Sequence, residues 1–228
     1  MLPPTLGSSG QWVASRAPQR GGEKGNVEMQ IKQIAALCKK RKVIYIATEA
    51  DEQQYIGDGA ALYKITGLPA LCADEVMTLF DLKAKERDKM EVIERDGVPM
   101  DINDYDQDET ELDDTYFTFC YGERVLLPLS DADELILIES KYLKPVSDEL
   151  EYQRYFLRKD NSGNRYVVVK NGMIAQAAIL PFVIEDKNFI NRMYELANGL
   201  DEAAAARGRR QAREDAEDAE LQAALEGR

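Results

Sequence analysis

Histidine is absent from the 228 residues. That removes Ser-His-Asp and Cys-His nucleophilic arrangements, imidazole general bases and the usual His-containing metal sites. Any enzyme built on this chain would work with carboxylates, Lys, Tyr or Cys. Cysteine is scarce: Cys38, Cys72 and Cys120 are odd in number, far apart and without C-x-x-C spacing. Neither a disulfide framework nor a zinc site is expected from that pattern, and a reducing, cytoplasmic setting fits it. No window approaches the roughly 20 apolar residues of a membrane helix, and residues 1–27 lack a continuous apolar core. No membrane partner and no secretory signal are therefore expected. Positive charge is in deficit, with 29 Lys and Arg against 42 Asp and Glu and a formal net charge of -13. This argues against non-specific DNA binding by the whole surface and shifts attention to local basic faces.

What is present is a soluble, globular composition, 44% apolar. Residues 1–28 are rich in Pro, Gly, Ser and Gln with isolated apolar residues, and read as a disordered leader. From 30 to 42, Ile31, Ile34, Ala35, Leu37 and Cys38 recur at helical steps. The polar side carries Lys32, Lys39, Lys40, Arg41 and Lys42 and no acid, which reads as either a solvated helix end or a phosphate-facing surface. Short β-prone runs follow at 43–48, 53–57 and 60–66, with Asp58-Gly59 as a hairpin signal. No Gly-Lys-Ser/Thr follows those glycines, so a phosphate-binding loop is not expected. Residues 73–82 read as a second helix, prolonged by a charged segment at 83–95.

Residues 101–114 hold eight acids and no base. Asp104, Asp106 and Asp108 have the spacing of a calcium loop's first ligands, but Glu109 stands where Gly belongs and Thr115 where the bidentate Glu belongs. A solvated acidic loop is the expectation, with no metal or other cofactor. Strand character returns at 116–121, 124–129 and 134–139, followed by a helix at 140–146. Three strands, 151–158, 165–170 and 173–183, then meet through Asn161-Ser162-Gly163-Asn164 and Asn171-Gly172 turns. Residues 187–200 read as a short amphipathic helix, and 201–228 as a charged tail, disordered or loosely helical.

Helix 30–42 with its three strands and helix 140–146 with its three strands share one order, which predicts a pseudo-duplicated α+β domain over 29–186 with helices on one face of the sheet. The second helix brings Lys141 and Lys144. The run Ser140-Lys141-Tyr142-Leu143-Lys144, the Val167-Val168-Val169-Lys170 strand, the Ala178-Ile179-Leu180-Pro181-Phe182-Val183-Ile184 run and the Ile56-Gly57-Asp58-Gly59 hairpin together resemble a domain of the bacterial polymerase III β sliding clamp.

That resemblance implies a DNA-clamp-like, non-enzymatic module without catalytic residues, of the kind a phage or mobile element would use in replication or recombination. It implies that Lys32, Lys39, Lys40, Arg41, Lys141 and Lys144 face double-stranded DNA, and that Leu180, Pro181 and Phe182 border a groove for replication or recombination proteins. Closing a ring would take a homo-oligomer or a partner. Two alternatives stand beside it: a protein-interaction or regulatory domain that keeps the fold without DNA, and a carboxylate-based, metal-dependent enzyme.

Overall fold

The β-branched run Val43–Thr48 forms strand β1 and opens a meander with β2 (Gln54–Gly57) and β3 (Ala61–Ile65). The computed structural model describes residues 22–115, 117–131, 134–196 and 199, with side chains described from residue 30 onward except at 147–152. A second meander begins after an intervening group of strands: β4 (Glu91–Asp96), β5 (Thr110–Asp114), β6 (Phe119–Tyr121), β7 (Arg124–Ser130) and β8 (Leu135–Glu139) lead to β9 (Gln153–Lys159), β10 (Arg165–Asn171) and β11 (Ile174–Ile179). The two meanders join where β3 pairs antiparallel with β11, Ala177 opposite Tyr63 and Ile179 opposite Ala61. One eleven-stranded sheet results, in the order β4-β1-β2-β3-β11-β10-β9-β5-β7-β6 with β8 on β7. Among the described strands only β1 and β4 run parallel, so the fold is α+β with a mostly antiparallel sheet.

Strand alternation sends side chains to two cores. Ile44, Ile56, Tyr63, Leu157, Val167 and Ile179 enter the larger one, together with Ile31, Ile34, Ala35 and Cys38 of helix α1 (Gly22–Arg41) and Tyr142 of the 3₁₀ segment Ser140–Tyr152. The spacing of the four α1 residues makes one buried stripe, and burying Ile31 and Ile34 contributes about 1.5–3 kcal/mol each. Short helix α2 (Ala73–Leu79) adds Val76 to the same core. Tyr55, Leu62, Phe156, Tyr166 and Val168 point the other way, where Met100 and Ile102 lie over them.

Several elements differ from the sequence reading. Helix α1 begins at Gly22, inside the segment read as a leader, and residues 1–21 lie outside the described residues. The charged segment 83–95 is a helical turn, α3 (Ala84–Arg87), followed by edge strand β4. The helix at 140–146 is a 3₁₀ segment with Pro145 inside it, because proline supplies no backbone donor and crowds the preceding turn. The strand read over 173–183 ends at Ile179. Residues 187–196 are helical; the tail 201–228 lies outside the described residues.

Residues 101–109 form a largely exposed acidic loop, as read, but it lies across the face of the sheet opposite α1, and the segment ends as strand β5, which pairs with β9 and β7. Ile102 is fully buried. The Arg158 side chain, also fully buried, donates from Nε (2.9 Å) and Nη2 (2.5 Å) to Glu109 Oε2 and from Nη1 to the Asp101 carbonyl (2.9 Å). Lys170 Nζ donates to Glu109 Oε1 (2.6 Å) and to the Asp104 carbonyl (2.8 Å). Glu109 thus matches both buried cations, while Asp101, Asp104, Asp108, Glu111 and Asp113 stay exposed.

Candidate functional site

The site is built from the Asp58-Gly59 hairpin outward. Asp58 is buried, and its Oδ1 accepts the backbone N–H groups of Ala60 (3.0 Å) and Ala61 (3.1 Å), closing the turn from inside. Gly59 takes φ +80°, a left-handed conformation that glycine adopts without strain. Gly57 is required for a different reason: a Cβ there would lie 1.7 Å from the Ala61 carbonyl oxygen. The remaining Asp58 oxygen, Oδ2, accepts from the Tyr142 hydroxyl (3.1 Å), and the Tyr142 carbonyl accepts from the Tyr63 hydroxyl (2.9 Å). Thus one carboxylate ties the hairpin to the 3₁₀ segment, and Cys38 of α1 is tied to the hairpin through the Gly57 carbonyl. Burial, then the Asp58 charge, push the Tyr142 phenol far above its ordinary value. Burial does the same to the Cys38 thiol, which donates to the Gly57 carbonyl (3.2 Å) and is inert as a nucleophile.

Around this junction lies a cleft of about 550 Å³, lined by Lys40 and Arg41 from α1, Asp58, Arg124 of β7, Glu139, Lys141, Tyr142 and the segment Leu180, Pro181 and Phe182. A second hollow of about 600 Å³ adjoins it and shares Lys40, Arg124, Glu139, Lys141 and Phe182, adding Tyr121 and Lys144. Glu139 is buried to 9% exposure; it pairs with Arg124 and with Lys141 Nζ (2.7 Å). The Arg124 guanidinium also sits 4.9 Å from the Phe182 ring centroid, and Lys141 Nζ 4.5 Å from that of Tyr142. Such cation–aromatic contacts fix the charges on the rims of the cleft.

Leu180, Pro181 and Phe182 reach the cleft because the chain leaves the sheet after β11. The Leu180 N–H donates to the Ala60 carbonyl (2.8 Å) and the Phe182 N–H to the Leu137 carbonyl of β8 (2.7 Å), with Pro181, which has no N–H, between them. The segment is therefore a bridge between the Asp58 hairpin and β8, and Leu180 remains 40% exposed. Phe182 stacks edge-on against Tyr121 (6.1 Å), and Phe189 of the helical residues 187–196 packs on Tyr121 (5.6 Å) and Phe119 (5.7 Å).

Of the residues singled out in the sequence, Lys40, Arg41, Lys141, Leu180, Pro181 and Phe182 meet in one cleft, with Lys144 on the adjoining hollow. Lys32 and Lys39 are exposed on α1 and line neither. Sequence reasoning missed Arg124, Glu139, Asp58 and Tyr142. Asp58 was visible only as a turn residue, and nothing local marks Arg124, whose role depends on the segment after β11 bringing Phe182 against it.

The spacing of a calcium loop is used otherwise here. Asp104 Oδ1 accepts the Ala175 N–H (2.9 Å), and Asp106 Oδ1 accepts the Asp108 N–H (2.8 Å). Among the described residues, no three Cys, Asp or Glu side chains converge as a metal-binding group. Nor is any helix among them long and apolar enough to cross a membrane. The fold and the site define an α+β protein with a broad, mostly antiparallel sheet and a cationic cleft walled on one side by an apolar bridge. Comparison with protein-family models, curated proteins and solved structures finds no match to this chain.

Proposed function

We propose that this chain is a non-enzymatic, clamp-like interaction module that contacts double-stranded DNA through the cationic end of α1 and the neighbouring 3₁₀ segment, in replication or recombination. The observation that supports it most is convergence: cations from α1 (Lys40, Arg41), β7 (Arg124) and the 3₁₀ segment (Lys141, Lys144) gather on one surface of a protein with net charge -13. Glu139 pairs with Arg124 and Lys141, and Lys40, Arg41 and Lys144 bring further positive charge to the same surface, whereas on the opposite face of the sheet Arg158 and Lys170 share Glu109 in a buried group. A surplus of positive charge kept in one place on an acidic chain is what phosphate recognition requires.

The test is substitution of Lys39, Lys40, Lys141 and Lys144 by Glu, with thermal melting to verify the fold. Affinity for a duplex should fall by at least about tenfold, and the slope of log K against log salt should shrink by roughly one unit for each phosphate contact removed. An unchanged affinity and slope would eliminate the DNA reading.

A second reading, a protein-interaction domain without DNA, draws on a different observation. The exposed Leu180 and the Phe182 ring form an apolar wall in the same cleft, and Asp58 and Glu139 offset part of its charge. Leu180→Asp separates the two readings: it should abolish capture of a protein partner while leaving duplex affinity within about twofold.

A further inference from the structure

We infer that the cleft also has an occupant within this chain: the acidic stretch at residues 214–226 seats on the Lys40, Arg124 and Lys141 surface and competes there with external polyanions. The inference rests on the cleft being the binding face. Three observations carry it.

The first is complementarity. Residues 214–226 include Glu214, Asp215, Glu217, Asp218, Glu220 and Glu226 and no base, with Leu221 and Leu225 as their larger apolar residues. The cleft offers the matching pair of features, cations on its rim and the Leu180 and Phe182 wall. The second is position. Phe189 packs on Tyr121, and Tyr121 itself lines the adjoining hollow, so the chain departs beside the cleft. The helical residues 187–196 extend about 15 Å. The residues between 196 and 214 would span about 23 Å as a coil, enough to return over that distance. Tethering at this range gives an effective concentration on the order of millimolar, so weak contacts suffice. The third is that Arg158 and Lys170, on the opposite face of the sheet, are closed to the tail, being buried and already paired with Glu109. Arg207, Arg209, Arg210 and Arg213 just precede the acids and offer the local alternative.

The experiment uses the full chain at low micromolar concentration and a variant carrying Glu214→Gln, Asp215→Asn, Glu217→Gln, Asp218→Asn and Glu220→Gln. Zero-length coupling of carboxylates to amines, mapped by mass spectrometry in the monomer band, should join 214–220 to Lys40, Lys141 or Lys144, with yield falling several-fold as salt rises from about 50 to 500 mM. Coupling only to Lys64, Lys83 or Lys89, only between molecules, or not at all would overturn the inference; the last is the outcome expected if the acids pair with the tail arginines. In the second arm, the variant should bind a duplex about fivefold or more tightly than the parent at about 50 mM salt, the difference closing at high salt. Equal affinities of two binding proteins would also overturn it. If neither protein binds duplex while the mapped coupling to the cleft persists, the tail contact stands and the DNA reading fails.

Discussion

At the scale of single residues, the most consequential side chain is Glu109. Its two oxygens receive Arg158 and Lys170, whose side chains are 0% and 5% exposed. Removing one member of a buried ionic group strands the others without solvent, at a cost of about 3–5 kcal/mol. Glu109→Gln should therefore lower the urea-unfolding free energy by that amount, whereas Asp108→Asn, on an exposed neighbour, should change it by less than about 0.5 kcal/mol. Equal effects would mean that the acids act as a diffuse charge and not as specific partners. This pairing was partly legible in the sequence. Arg158 and Lys170 close runs of buried residues, Tyr155 to Leu157 and Val167 to Val169, and cations in such company need an acidic partner. The partner's location was not legible, because Glu109 and Arg158 meet only after the chain has crossed the sheet.

At the scale of elements, the meanders were readable and their connections were not. Alternating β-branched and aromatic residues, with Asp-Gly and Asn-Gly turns, identify β1, β2, β3, β9 and β10 nearly to their ends. β4, with sequence EVIERD, and β5, with sequence TELDD, carry too few apolar residues to show a period of two. They are strands because their backbones complete the ladders of β1 and β9. The 3₁₀ segment mimics a helix in sequence, since Tyr142, Leu143 and Val146 are spaced for one, and Pro145 decides otherwise. The cleft was legible in its parts, the lysines and Leu180 to Phe182, but their proximity follows from the Leu180 and Phe182 backbone bonds. The hairpin between β2 and β3 supplies a test at this scale. Gly57→Ala drives a methyl into the Ala61 carbonyl and should cost more than about 2 kcal/mol. Gly59→Ala meets open space and only the positive-φ penalty, about 1 kcal/mol. Calorimetric melting of both variants should show Gly57→Ala as the lower; the reverse order would mean that the hairpin relaxes around residue 57.

At the scale of the whole molecule, the absence of histidine and the burial of phenols give an asymmetric response to pH. Burial raises the Tyr155 phenol from its ordinary 10.0 to about 12. It raises Tyr63 well above its ordinary value, where Asp58 adds to the effect, and does the same to Tyr55, where Glu49 adds. Each phenol keeps its proton longer in the folded protein than in the unfolded chain. The stability it contributes is complete below about pH 10 and declines as pH rises toward the folded value, by up to about 1.4 kcal/mol per pH unit for each group. Denaturant unfolding should therefore be nearly level between pH 7 and 9 with respect to these groups and fall steeply from pH 10 to 12. Tyrosinate absorbance should appear together with loss of the fold; ionisation of these four tyrosines, Tyr142 among them, while the protein stays folded would contradict the burial argument.

The seam between β3 and β11 has a bearing on how the protein comes into being. Ile179, at the end of β11, pairs with Ala61, at the start of β3. A nascent chain emerging from the ribosome would present β3 as an unpaired edge until residues almost 120 positions later had been made, a wait of roughly 6–24 s at about 5–20 residues per second. During that interval the first meander is an incomplete half-sheet whose natural partner does not yet exist, and early guardianship of that edge, by a chaperone or by the slow pace of translation itself, becomes part of making this fold.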